Sequence, residues 1–266
     1  MKKTWSMVAA GVALLVAVAA GWILVTRTQA TPIAGLESAL PRAQPEAEFI
    51  LPAALDAARE EAVSRNVRAL VVHRRGHRVF EQFTRGADGT TTLEGGELGA
   101  LVLSLALHEP EQDAGQDRAV IARLVSERLW QPLRAGDASL SGTPGASRRC
   151  CIQARLDDWM RVGDLLLGTG AYLGERLVAA DAVRAVLAGR QASWQGDEPL
   201  LARDGMTFDL QDGVRLWLAP RRQLAILVWG DAGAARDTLI PNIILRGLND
   251  AAPAIGGGIE DIVPGH

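Results

Sequence analysis

The chain has almost no lysine. Of its 266 residues only Lys2 and Lys3 are lysines, so every later cation other than histidine is an arginine. A lysine base inside the folded part is excluded, and arginine cannot replace it because it stays protonated. There is one tyrosine, Tyr172, which leaves a single phenol for any role. The four histidines are His73, His77, His108 and His266. A zinc site needs three or four converging ligands, and His73 and His77 flank a turn, where they read as solvated. The two cysteines, Cys150 and Cys151, are adjacent and lack the spacing of a metal or redox motif. They read as a vicinal disulfide, a link between chains, or two incidental thiols. Neither a Gly-x-Ser-x-Gly elbow nor a phosphate-binding glycine loop is present. The net charge of −3 supplies no positive field for nucleic acid. No cofactor or metal is expected.

Apolar residues make up 48% and charged residues 22%, ordinary for a globular domain. The first long pattern is an uncharged run from Trp5 to Val25 behind Lys2 and Lys3. At about 20 residues it is long enough to span a bilayer core of about 30 Å. Trp5 and Trp22 lie near its ends, where their rings favour the interface. We read 1–30 as a single-pass anchor in the inner (cytoplasmic) membrane, with the domain on the periplasmic side. A cleaved signal peptide ending at Thr28-Gln29-Ala30 is the alternative. Residues 31–49, with Pro32, Pro41 and Pro45, read as a linker. The folded domain is expected over 50–250, and the Gly-, Pro- and Ala-rich 251–266 as a flexible tail.

Within the domain, Pro52 to Asn66 has a helical pattern, with Leu55, Ala58, Ala62 and Val63 on one face. Ala69 to Phe83 reads as a hairpin turning at Arg75-Gly76. Leu93 to Leu107, LEGGELGALVLSLAL, reads as a buried helix entered from a loop. Arg118 to Leu133 is a second helix ending in Leu-Trp-Gln-Pro-Leu. Ala154 to Gly168 carries a core-facing stripe of Leu156, Trp159, Val162, Gly163 and Leu166. Val214 to Gly230 reads as two strands around a Pro220-Arg-Arg turn, and Asp237 to Leu248 as a last helix.

Several of these segments together resemble the serine β-lactamase and penicillin-binding-protein family, in particular its class C and esterase-like branch. The hairpin is similar to the family's LVVxRxGxxVxE. Leu129 to Ser139 is similar to its LWxPLGMxDAS, and Ala154 to Gly168 to its ATARDLARFGLLLLNGG. The resemblance implies an α+β fold, an antiparallel sheet flanked by helices, here with a reduced helical lobe. It also implies three catalytic motifs. Ser-x-x-Lys would fall at Leu93 and Gly96, and occurs nowhere in the chain. The Tyr-x-Asn loop belongs where only a short joint, Glu109 to Asp117, is present. Lys-Thr-Gly or His-x-Gly would fall at Leu210-Gln211-Asp212-Gly213. A serine with a base one helical turn away is what removes the nucleophile's proton, and leucine and glycine can do neither.

The sequence therefore points to a non-catalytic, membrane-anchored relative that binds a protein partner or a cell-wall-like ligand. Glu94, Glu97, Gln211 and Asp212 are the candidate groove residues, although acids at a helix start are favourable for dipole reasons alone. The alternative is an active serine hydrolase with rearranged residues. Ser104 and His108, four apart on one helix, are the pair it would use.

Overall fold

The computed structural model describes residues 30–107, 117–141, 151–188, 205–211 and 213–249. The expected anchor and tail, together with His108, Cys150 and Asp212, lie outside them. Among the described residues no helix is long and apolar enough to cross a membrane.

The described part opens on a short strand, β1 (Thr31–Ile33), then helix α1 (Pro52–Ser64) and the hairpin β2 (Ala69–Arg74) and β3 (His77–Phe83). Next come β4 (Thr92–Glu94), α2 (Gly96–Ala106) and α3 (Arg118–Val125), which runs on as a π-helical turn over Ser126–Trp130. Strands β5 (Ala138–Leu140) and β6 (Ile152–Arg155) precede helix α4 (Leu156–Leu167). A small hairpin, β7 (Ala171–Tyr172) and β8 (Glu175–Arg176), leads to α5 (Ala180–Leu187). Three strands follow, β9 (Met206–Asp209), β10 (Val214–Ala219) and β11 (Leu224–Trp229), and then α6 (Ala232–Arg236) and α7 (Leu239–Arg246).

The central sheet has the order β3-β2-β11-β10-β9, every pair antiparallel. Its middle strands are apolar at nearly every position, because both faces are covered. With side chains alternating along a strand, Leu70, Val72, Ile226 and Val228 meet Leu55, Ala58, Ile240 and Ile244 of α1 and α7. Ala69, Val71, Ala225 and Leu227 face the opposite core, which α2, α3 and α4 fill. Val63, expected on the buried face of α1, is 59% exposed.

The turns follow their local chemistry. Arg75 and Gly76 both have positive φ, 53° and 81°, as a two-residue hairpin requires. Pro220–Arg222 forms a 3₁₀ turn closed by Gln223, whose side chain donates to the carbonyls of Pro220 and Leu167. At the other end of the sheet Asp237 caps α7: its Oδ1 accepts the Leu239 N–H at 2.8 Å and its Oδ2 meets Arg65. That N–H, and then Arg65, hold the Asp237 carboxyl below its ordinary range. A depressed carboxylate contributes stability above its unfolded pKa and loses it as pH falls through the folded one. Asp237→Ala should therefore cost about 1 kcal/mol at neutral pH. The gap to wild type should close on acidification through the Asp range, in urea titrations run at both pH values.

Two expectations are corrected. Residues 31–49 are no linker. β1 pairs with β5 in a second sheet of order β1-β5-β6-β4, and Ile33 is fully buried. The backbone N–H groups of Leu36 and Ser38 donate to the carbonyls of Ala135 and Arg134. Those of Ala34 and Gly35 donate to the side chains of Ser126 and Asp137. The segment is a strap stitched to the domain. Second, His73 is not solvated. A bulge between Val72 and His73 shifts the alternation, and the fully buried ring hydrogen-bonds through Nδ1 to Asp164 Oδ2 at 2.8 Å. His77 lies nearer solvent and pairs with Glu48 at 2.9 Å.

Candidate functional site

The start of α2 is built from strand, cap and helix in quick succession. Leu93 belongs to β4, which pairs with β6 through Leu93 and Ala154, and its side chain is buried. It cannot share a helical turn with Gly96, so the expected Leu93/Gly96 pairing is corrected. The N-cap is Gly95, whose N–H donates to the Ile152 carbonyl at 2.8 Å. One turn on from it stands Leu98, fully buried.

Neither glycine at this junction has room for a side chain. A Cβ on Gly95 would lie 2.3 Å from the Trp159 ring. Gly96 has φ +50°, and a Cβ there would lie 2.5 Å from the Leu210 carbonyl oxygen and 2.6 Å from that of Asp209. The helix N-terminus is thus pressed onto the end of β9, while Trp159 of α4 holds it from below. Trp159 is fully buried, donates from Nε1 to the Leu93 carbonyl at 3.1 Å, and meets Trp130 edge-on at 5.8 Å.

Of the four candidate groove residues, two are joined. The Glu94 N–H donates to Gln211 Oε1 at 3.3 Å, with the Glu94 side chain exposed. Glu97 is half-buried in the first turn of α2. Asp212 lies outside the described residues. Beside Gln211 is a cavity of about 330 Å³, bounded by Asp209, Gly213, Val214 and Arg236. Asp209 there receives Arg215 through both carboxylate oxygens, at 2.7 and 3.0 Å, with Arg236 at 3.5 Å. The sequence reading missed this acid and its two arginines. The Arg215–Asp209 match follows from the β9–β10 register, which places them opposite each other.

Other candidates for chemistry are engaged elsewhere. The exposed Ser104 hydroxyl donates to the Ala100 carbonyl one turn back, a common local bond for a helical serine. Tyr172 is buried and accepts from Arg161 Nη1 at 2.9 Å. Burial pushes its phenol above the ordinary value, the wrong direction for a base. Cys151 is disulfide-bonded, and the one other cysteine in the chain is its neighbour, Cys150. Among the described residues no group of His, Cys, Asp or Glu could hold a metal ion.

In sequence, no family model and no curated protein matches the chain. In fold it is similar to solved hydrolase structures. A protein from Bacillus anthracis assigned as a 6-aminohexanoate-dimer hydrolase superimposes with a TM-score of 0.54 at 12% identity, over 85% of this chain and 90% of that one. One from Bacteroides dorei assigned as a β-lactamase gives 0.52 at 10% identity, over 75% and 99%. EstCE1, a hydrolase with promiscuous acyltransferase activity, gives 0.52 at 9% identity, over 76% and 99%.

Proposed function

We propose that a chain with this serine β-lactamase-type fold is a non-catalytic relative of those hydrolases. Its N-terminal segment holds it in the inner membrane, with the domain and a reduced helical lobe on the periplasmic side. What remains of the groove, around Glu94, Glu97, Gln211 and Asp212, binds a protein partner or a cell-wall-like ligand. The observation that carries this reading is the junction at the start of α2. An acyl-enzyme mechanism needs a serine there and a base one turn further on. The chain supplies Gly95 and Leu98, with the ring of Trp159 in the space a serine Cβ would take. A shift of register to Gly96 meets backbone instead. Fold alone does not transmit activity, and here the position of the nucleophile argues against inheriting it.

Exposing the purified full chain to a fluorescent penicillin and to a fluorophosphonate, followed by intact mass, tests the reading. The expected result is no adduct from a protein that still unfolds cooperatively. A stoichiometric adduct mapped to one serine would establish a working hydrolase and end the proposal. Protease accessibility of the domain in spheroplasts, against intact and lysed cells, tests its placement outside the cytoplasm.

A further inference from the structure

The start of the strap leaves one edge of the domain bare. β1 is the outer strand of the second sheet, and the stretch from Thr31 to Leu36, TPIAGL, carries no charge. Ile33 is fully buried, while Pro32, Ala34 and Leu36 are exposed. Leu36, at 62%, is the most exposed of the large apolar side chains among the described residues. An edge strand that faces water is normally guarded by charged side chains. Here the first charge is Glu37, which pairs with Arg155.

This apolar edge follows closely on the segment read as an anchor. The uncharged run ends at Val25, and only Thr26 to Ala30 separate it from Thr31. Six residue steps of at most about 3.5 Å reach about 20 Å, of which the headgroup layer takes about 6 Å. From Thr31 onward there is no slack. The pairings Thr31–Leu140, Pro32–Ser139 and Ile33–Ala138, and then the N–H groups of Ala34, Gly35 and Leu36, tie the chain to the domain. Arg27 is the single charge between Val25 and Glu37, and an arginine at headgroup level can keep its charged end in water.

We propose that, given the N-terminal anchor inferred above, the edge Thr31–Leu36 rests on the periplasmic surface of the same bilayer, with Pro32, Ala34 and Leu36 at headgroup level. The contact is apolar, because the stretch has no cation with which to attract anionic lipid. A weak contact suffices, since so short a tether holds the edge at a high effective concentration at the surface. The docked edge also fixes where the groove works. Pro32, Ser139, Gln153 and Glu94 form one row across β1, β5, β6 and β4. Three strand spacings of about 4.8 Å put Glu94 about 14 Å from the docked edge. The groove rim is thereby held close to the bilayer, where a flexible linker would let it range.

The test uses the full chain in phosphatidylcholine vesicles, with one added cysteine that carries an environment-sensitive fluorophore. Leu36→Cys is the probe. Val63→Cys is the control, 59% exposed on α1, across the central sheet from the core that holds Ile33. Labelling is done without reductant, because Cys151 is already disulfide-bonded. Quenching by a lipid with a nitroxide on its headgroup should be several-fold stronger at position 36 than at 63. High salt or added phosphatidylglycerol should leave it unchanged, as screening acts on charges. Ala34→Asp in the Leu36→Cys chain should cut the quenching severely, with thermal melts showing the domain intact. Equal quenching at the two positions, in a vesicle-bound chain of full mass, would overturn the proposal and leave the anchor standing. Quenching that needs anionic lipid or vanishes in salt would overturn it as well. So would shielding of position 36 that is lost on diluting the chain in lipid, which would mean that a second copy covers the edge. A shortened chain recovered in the supernatant would show instead that the anchor reading had failed, and the proposal with it.

Discussion

Trp159→Ala is expected to lower the free energy of unfolding by about 3–5 kcal/mol, a large share of the roughly 5–15 kcal/mol that a domain has in total. The ring is fully buried. Its edge-on contact with Trp130 at 74° is worth about 0.5–1.5 kcal/mol beyond the area it buries. Truncation also removes the Nε1–H bond to the Leu93 carbonyl, worth about 1 kcal/mol. Trp159→Phe keeps most of the ring and should cost less, chiefly the lost N–H. The informative measurement is the coupling to Gly95. Alone, Gly95→Ala drives a methyl to within 2.3 Å of the ring and should be clearly destabilising. In the Trp159→Ala background the space is open, and the same change should cost much less. A denaturant cycle over the four proteins gives the interaction energy directly. Strict additivity would mean that the tryptophan does not hold the helix start, and would remove the main support for reading the nucleophile position as filled.

Much of this architecture was legible beforehand, for identifiable reasons. The β2–β3 hairpin announced itself through Arg75-Gly76, and the β10–β11 hairpin through Pro220, because both turns need residues with set backbone preferences. The stripe Leu156, Trp159, Val162, Gly163 and Leu166 is buried as its spacing requires. What escaped had no periodic signal. The strap over residues 31–49 looks like a linker because of its prolines, and it is held mainly by backbone N–H groups meeting carbonyls and the side chains of Ser126 and Asp137. Hydrogen bonds of that kind leave no mark on hydropathy. The π-helical turn at Ser126–Trp130 has the hydropathy of plain helix for the same reason. In the candidate site, the resemblance groups Glu94 with Gln211, which a hydrogen bond joins, but it puts Leu93 on the helix, and Leu93 is in β4. Its apolar side chain fits a strand or a helix equally well, and only the pairing of β4 with β6 decides between them.

The least legible feature is the hydrogen bond between His73 and Asp164, and breaking it is expected to be costly. Helix α4 is buried at every position except Asp157, and Asp158, Arg161 and Asp164 follow one another at intervals of three, a polar seam through an apolar core. His73 Nδ1 to Asp164 Oδ2 is the single hydrogen bond that either side chain makes among the described residues, and His73 Nε2 and Asp164 Oδ1 have none. Either His73→Leu or Asp164→Leu leaves one buried polar group with no partner at all, which should cost about 2–3 kcal/mol. Replacing both should cost less than the sum of the two, because the orphan created by each single change is then gone and the space is filled by apolar atoms. Urea titrations of the three variants and wild type should give a coupling of about 1 kcal/mol or more. If the double variant is as unstable as the two losses added together, the residues act only as volume, and the seam does not serve to fix α4 against β2. If the coupling is found, the helix that carries Trp159 beneath the start of α2 is held in place by a polar contact to β2. Its position then sets the geometry of that junction.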